Sequence, residues 1–239
     1  MSSLRGALSD AEIAAYIDSG LIRDAVAANI QAASYDMTAI GEAYRVDGVF
    51  MPREADSVER ALKHREHYRV DLQQPLEAGV TYCVRVQESF RLPREIYGYA
   101  NPKSSTGRND ITAQVIAAGV AAYDFLPRGF CGDVWMLVTP DSYPIMFSAG
   151  EQFSQIRLFN ADTRLDTVEL APEFTRYGIM YDAKGFPIDF GCVRAPVEDG
   201  KLVYTLDLVG DPESDIVGYR AHSRGRVLDL SKRNYYAPD

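Results

Sequence analysis

The chain has 239 residues, 46% of them hydrophobic and 25% charged, and a formal net charge of −9 at pH 7. That length holds one large or two small domains with a real core; no apolar run approaches the ~20 residues of a membrane helix, and the first six residues lack the apolar centre of a signal peptide, so the expected location is cytoplasmic with no membrane partner. The acidic balance excludes a general binder of nucleic-acid polymers, which rests on many basic contacts, but not a single nucleotide held by a local pair of cations.

Cys83, Cys131 and Cys192 are an odd number, far apart and without a Cys-x-x-Cys pair. A disulfide framework and a structural zinc site are therefore not expected. In chain order, Ser9-Asp10-Ala11-Glu12 is a capping box, followed by Ile13, Tyr16 and Ile17 at helical spacing and by Gly20 as a stop signal. The pattern predicts a short helix over 10–19. Residues 29–37 read as the start of a strand with polar turn residues. Tyr44, Val46, Val49 and Phe50 read as a strand, and 70–72 and 80–86 alternate in period two about the turn at 73–79. Residues 57–62 are a helical turn or an irregular insertion. His64 and His67 lie three apart, a spacing that places two metal ligands on one helix face. With Arg65 between them and no third ligand nearby, a solvated face is the preferred reading.

Residues 96–100 read as a short strand that leads directly into Asn101-Pro102-Lys103-Ser104-Ser105-Thr106-Gly107-Arg108. This run places two cations, three hydroxyls and a glycine within eight residues. Fixed charge, short donors and a backbone able to adopt positive φ or approach a ligand closely are what a small polyanion such as a phosphate chain requires. A polar surface loop is the other reading. Further strands are expected over 111–116, 133–138, 144–147 and 153–159, with the turn Leu126-Pro127-Arg128-Gly129-Phe130-Cys131-Gly132 between the first two. Many short strands with little helix predict a mainly β, barrel or jelly-roll-like domain over about 1–165. The acidic stretch 162–173 is a candidate linker; beyond it, 202–208, 216–219 and 227–230 are strand-like. Residues 166–239 are too few for a second barrel of equal size, so an annex or the opening of an incomplete second domain is expected.

Gly6-Ala7-Leu8-Ser9-Asp10-Ala11-Glu12-Ile13, Ile30-Gln31-Ala32-Ala33-Ser34-Tyr35-Asp36, Lys103-Ser104-Ser105-Thr106-Gly107-Arg108, Pro127-Arg128-Gly129-Phe130-Cys131-Gly132 and Phe153-Ser154-Gln155-Ile156 occur in order along most of residues 5–160. This ordered set resembles the dCTP deaminases of the dUTPase superfamily, and the second half resembles their longer, two-domain branch. The resemblance implies a β-clip (dUTPase-like) distorted barrel with a short N-terminal helix and a partial second β domain. It implies hydrolytic deamination of dCTP to dUTP without zinc, with Mg2+ carried by the triphosphate, in a homo-oligomer (trimer or pseudo-trimer) whose sites lie between subunits. Ser104, Ser105 and Arg108 match the residues that grip the phosphates, Lys103 a commonly basic position, and Gln155 the closing strand of the nucleotide site. Asp124 matches an aspartate near sugar and base, and a turn-capping carboxylate is its other reading.

One position departs from the pattern. The family's general acid/base is a glutamate on the strand after the Gly-x-x-Gly turn, and here that position is Leu137. Asp133, four residues back and on the same face, is about 13 Å away along a strand. Three readings follow: a deaminase whose glutamate comes from the second domain, expected to be incomplete here, a homologue that binds nucleotide without turnover, or a dUTPase-like pyrophosphatase using Asp36 or Asp124.

Overall fold

The computed structural model describes residues 5–54, 56–182, 184–193, 202–203, 209 and 226–232. The chain divides into two compact units, residues 1–161 with 221–239 and residues 162–220. Helix α1 (Asp10–Asp18) is set by its capping box: the Ser9 hydroxyl accepts from the Glu12 backbone N–H while the Ser9 N–H donates to the Glu12 carboxylate at 2.9 Å. Gly20, at φ +71°, turns the chain out of the helix.

The first unit is mainly strands: β1 (Ile22–Arg23), β2 (Ile30–Gln31), β3 (Ser34–Met37), β4 (Ala39–Val46), β5 (His67–Arg69), β6 (Tyr82–Arg91), β7 (Tyr97–Pro102), β8 (Ile111–Ala117), β9 (Phe125–Leu126), β10 (Cys131–Pro140), β11 (Ile145–Met146), β12 (Ser154–Phe159) and β13 (Leu228–Asp229). Two short helices interrupt them, α2 (Val58–Lys63) and α3 (Ser104–Arg108). One open antiparallel sheet runs β5-β4-β6-β10-β8, with β1 on β6, and a second runs β2-β3-β12-β7-β9. β13 pairs in parallel with β11. Neither large sheet closes into a barrel.

Strand ends differ from the sequence reading where polar turn chemistry intervenes. β4 stops at Val46, ahead of Gly48 at φ +151°, so Val49 is exposed rather than part of the strand. β5 lies three residues before the alternating run 70–72, because the Asp71 carboxylate accepts from the Gln73 N–H and turns the chain there. Residues 57–62 resolve as helix, with Ser57 as the N-cap of α2.

Alternation along β10 divides its side chains between two cores. Val134, Met136 and Val138 enter the main core with Val84 and Val86 of β6 and Val115 of β8. Trp135 and Leu137 point the other way, into a smaller cluster with Cys83, Ile116, Val46, Phe50 and, from α2, Val58 and Leu62. Helix α2 thus supplies the cover that the second face of the sheet would otherwise lack.

In the second unit, α4 (Thr167–Tyr177) begins at a capping box of Asp166 with Glu169 and ends at Gly178 in the left-handed region. The acidic stretch at 162–173 therefore enters a helix instead of forming a linker; the Asp166-x-x-Glu169 signature overrides the breaker Pro172. Phe174 is buried and packs on Phe190 at 5.4 Å. The runs predicted at 204–208 and 216–219 lie outside the described residues. That at 227–230 contains β13, which belongs to the first unit.

Candidate nucleotide site

Residues 104–108 form one turn of helix, with Lys103 as an extended N-cap. Ser104 and Arg108 are four apart and Ser105 and Arg108 three apart, so the two serines and the arginine share one helical face. All three are exposed. Thr106 points the other way: it is buried and its hydroxyl donates to the Phe153 carbonyl at 2.8 Å. The same carbonyl accepts from the Lys103 N–H at 3.0 Å, and the Ser154 hydroxyl donates to the Asn101 carbonyl at 2.8 Å. β12 therefore fixes the turn from beneath. Gly107 is helical without a positive φ, and a Cβ there would meet no protein atom within 4 Å.

Lys103, Ser105 and Arg108 line a cleft of about 310 Å³ whose other walls include Gln152, Phe153 and Leu230. A larger hollow, about 640 Å³, lies between β5 and the 147–149 segment and is lined by none of the motif residues. The cationic and hydroxyl groups of Lys103, Ser105 and Arg108 line the smaller cleft instead.

The two cations of the turn differ. Arg108 is exposed and makes no hydrogen bond or ion pair with any described residue. Lys103 donates to the Asp36 carboxylate at 2.6 Å and to the Gln152 amide oxygen at 2.8 Å. Asp36 is buried, stands opposite Gln155 in the β3–β12 register, and also accepts from Gln31. Gln155 accepts from the Ser34 hydroxyl at 3.1 Å and does not itself line the cleft.

From Gln152 a hydrogen-bonded chain runs inward. Gln152 donates to Asn29 at 2.7 Å, Asn29 to the Thr38 hydroxyl at 2.9 Å, and the Thr38 N–H to the Glu88 carboxylate at 2.9 Å. Glu88 has no exposed surface and takes a further bond of 2.7 Å from the Tyr35 hydroxyl. Burial pushes the Glu88 carboxyl above the usual range, against the lowering effect of its donors. Burial and the adjacent Glu88 charge push the Tyr35 phenol up as well. Gln152, Asn29 and Glu88 were not candidates on sequence grounds. The one signal for them was parity: Glu88 shares the inward register of Val84, Val86 and Phe90, where a carboxylate must find partners.

Asp124 sits at φ 58° and ties β7 to β8. Its carboxylate accepts from the Val115 N–H at 2.7 Å and its carbonyl from the Ala100 N–H at 2.8 Å. Burial raises its carboxyl, partly offset by the Val115 bond. It does not line the cleft with Arg108.

Leu137 is 1% exposed and lies in the cluster under α2, on the face of β10 away from the main core. The nearest carboxylates lie at its margin, where Glu42 accepts from the Tyr44 hydroxyl at 2.9 Å. Asp133 is engaged at its edge: Arg85 pairs with Asp133 and with Glu42, each at 3.2 Å, and covers the Trp135 ring at 5.6 Å. The Trp135 indole nitrogen is the one buried side-chain polar atom without a partner among the described residues. His64 ends α2 while His67 lies in β5, its ring nitrogen against the Arg65 carbonyl, so the pair does not share a helix face. Among the described residues no group of three or more His, Cys, Asp or Glu side chains is arranged to hold a metal ion. No helix among them is long and apolar enough to cross a membrane.

The family model for the 2'-deoxycytidine 5'-triphosphate deaminase N-terminal domain matches residues 4–162. A crystal structure of 2'-deoxycytidine 5'-triphosphate deaminase from Agrobacterium tumefaciens superposes with a TM-score of 0.77 at 28% identity, covering 98% of this chain and 68% of that one. A native EIAV dUTPase aligns over 39% of this chain and 72% of its own at 14% identity, with a TM-score of 0.31, too weak to bear on the argument. No curated protein matches. The family match takes in α1 to α3 and β1 to β12, and on that extent this chain belongs to the dCTP deaminase family.

Proposed function

We propose that this chain binds dCTP through its triphosphate at the α3 turn and serves its hydrolytic deamination to dUTP. The observation that carries the binding half is the shared, exposed face of Ser104, Ser105 and Arg108 at the rim of the cleft. Two hydroxyl donors and a guanidinium without a partner among the described residues, on a turn fixed by the Phe153 carbonyl, can grip phosphate oxygens with little loss of side-chain freedom. Mg2+ enters as part of the nucleotide substrate, and zinc has no role in this reading.

The chemistry is a balanced hydrolysis. Water adds to C4 of the cytosine, a base takes its proton, and the same group returns a proton to the departing amine, so that dCTP and water give dUTP and ammonia. Leu137 cannot perform either transfer. The carboxylate must come from another surface brought to the α3 cleft, which is consistent with a homo-oligomer whose sites lie between subunits or pseudo-subunits. The enclosure of Leu137 in the apolar cluster under α2 supports that arrangement, because the position that matches the family's acid/base carries no proton-transfer group here.

A second reading is nucleotide binding without turnover, favoured by one observation: the Leu137 position is filled by apolar side chains. Incubation with dCTP and Mg2+ followed by product separation distinguishes the two. Formation of dUTP with ammonia supports the deaminase, and saturable binding without product supports the second reading. Release of pyrophosphate would overturn both in favour of a dUTPase-like reaction.

A further inference from the structure

We propose that Lys103 is a positioning residue rather than a phosphate contact. Its ammonium is the fixed counter-ion of buried Asp36 and holds the start of α3 through Gln152, leaving Arg108 as the cation that meets the ligand. This rests on the nucleotide reading of the cleft and assigns unequal roles to the two cations within it.

Three observations carry the inference. Lys103 has three N–H donors, and two are spent at 2.6 Å on Asp36 and 2.8 Å on Gln152. Moving the ammonium to an outside anion would break a charge-assisted bond and leave the Asp36 carboxylate buried and uncompensated. Second, the Lys103–Asp36 pair is close to neutral as a unit, so it presents little net field to a phosphate, whereas Arg108 has no carboxylate partner among the described residues. Third, Gln152 is not free to follow Lys103 outward. It is bonded to Asn29, which reaches Glu88 through Thr38, and this chain fixes the acceptor that Lys103 uses.

The inference separates a charge contact from a scaffold. If Lys103 only compensates Asp36, removing both charges together should restore the site. If Lys103 touches phosphate, removing Asp36 as well cannot bring the contact back.

The test is titration of dCTP with Mg2+ into the wild-type chain, Lys103→Met, the double variant Lys103→Met/Asp36→Asn, and Arg108→Ala, each at several salt concentrations, with thermal melts as a folding control. Arg108→Ala should lose about tenfold or more in affinity and show a flatter salt dependence. Lys103→Met should bind weakly and melt early. The double variant should regain both melting temperature and affinity, to within about threefold of wild type, with a wild-type salt dependence. A double variant that melts like wild type but binds as weakly as Lys103→Met, with a flattened salt dependence, would overturn the positioning role. Absence of saturable binding by the wild-type chain would instead remove the nucleotide reading, and the positioning role with it. That outcome shows before any variant is made.

Discussion

The two faces of the sheet containing β10 carry opposite chemistry. On the main-core side, the neighbouring strands lead to a continuous polar chain from Glu88 through Thr38, Asn29 and Gln152 to Lys103 and Asp36. On the other side, Trp135 and Leu137 are sealed under α2 among Val46, Phe50, Val58 and Leu62. The polar face ends in exposed groups that can meet a ligand, while the apolar face is covered by α2 and, at its edge, by Arg85 over the Trp135 ring and Arg65 over the Phe50 ring. The comparison teaches that one sheet can carry a continuous polar network on one side while the position that matches the family's acid/base is given over to packing on the other.

The largest expected effect comes from forcing the apolar face to carry charge. Leu137→Glu buries a carboxylate without a partner and should cost about 3 kcal/mol or more of stability at neutral pH. Urea unfolding measures it. Because burial raises the folded-state pKa of the introduced group, the loss should shrink as pH falls below that value. Wild-type stability with ammonia release would show that the face is open and break the comparison.

Next is the inner end of the polar chain. Glu88→Gln places an amide NH2 where two donors, the Tyr35 hydroxyl and the Thr38 N–H, require acceptors, and should cost about 1–3 kcal/mol. Glu88 also leaves a pH signature in the wild type. Its folded-state pKa is raised above the ordinary 4.5, so its contribution is fully present below that value and is lost as pH rises through the folded-state pKa. Unfolding free energies measured from pH 4 upward should contain this decline in the wild type and lack it in Glu88→Gln.

A smaller cost, about 1–2 kcal/mol, is expected for Gln152→Leu, which strands Asn29 and one Lys103 donor in a part-buried setting. Smallest is Arg108→Ala, whose exposed side chain has no described partner: its melt should stay within about 0.5 kcal/mol of wild type. A sizeable loss would mean that Arg108 is part of the scaffold, which would erase the contrast with Lys103.

Local signals made much of this legible in the sequence. Ser9 with Glu12 announced α1, period-two alternation over 80–86 announced β6, and apolar runs between turns announced β8, β10 and β12, because capping and strand patterning act between near neighbours. The residue types of the run 101–108 left an anion-binding segment and a polar surface loop both open. Its helical form was not legible, since a serine-rich stretch with a glycine reads as a loop and only the β12 backbone holds it helical. The unequal roles of the two cations were not legible, because Asp36 lies 67 residues from Lys103 and meets it only through the sheet register. Likewise Leu137 could be seen to lack a proton but not to be enclosed, since its cover comes from α2, whose helical form the sequence left undecided.

The most direct test of the central claim is a pair of titrations on the wild-type chain, one with dCTP and one with dCMP, both with Mg2+. A grip built on Ser104, Ser105 and Arg108 predicts saturable dCTP binding at least about tenfold tighter than dCMP. Equal affinities, or no binding of dCTP, would contradict it.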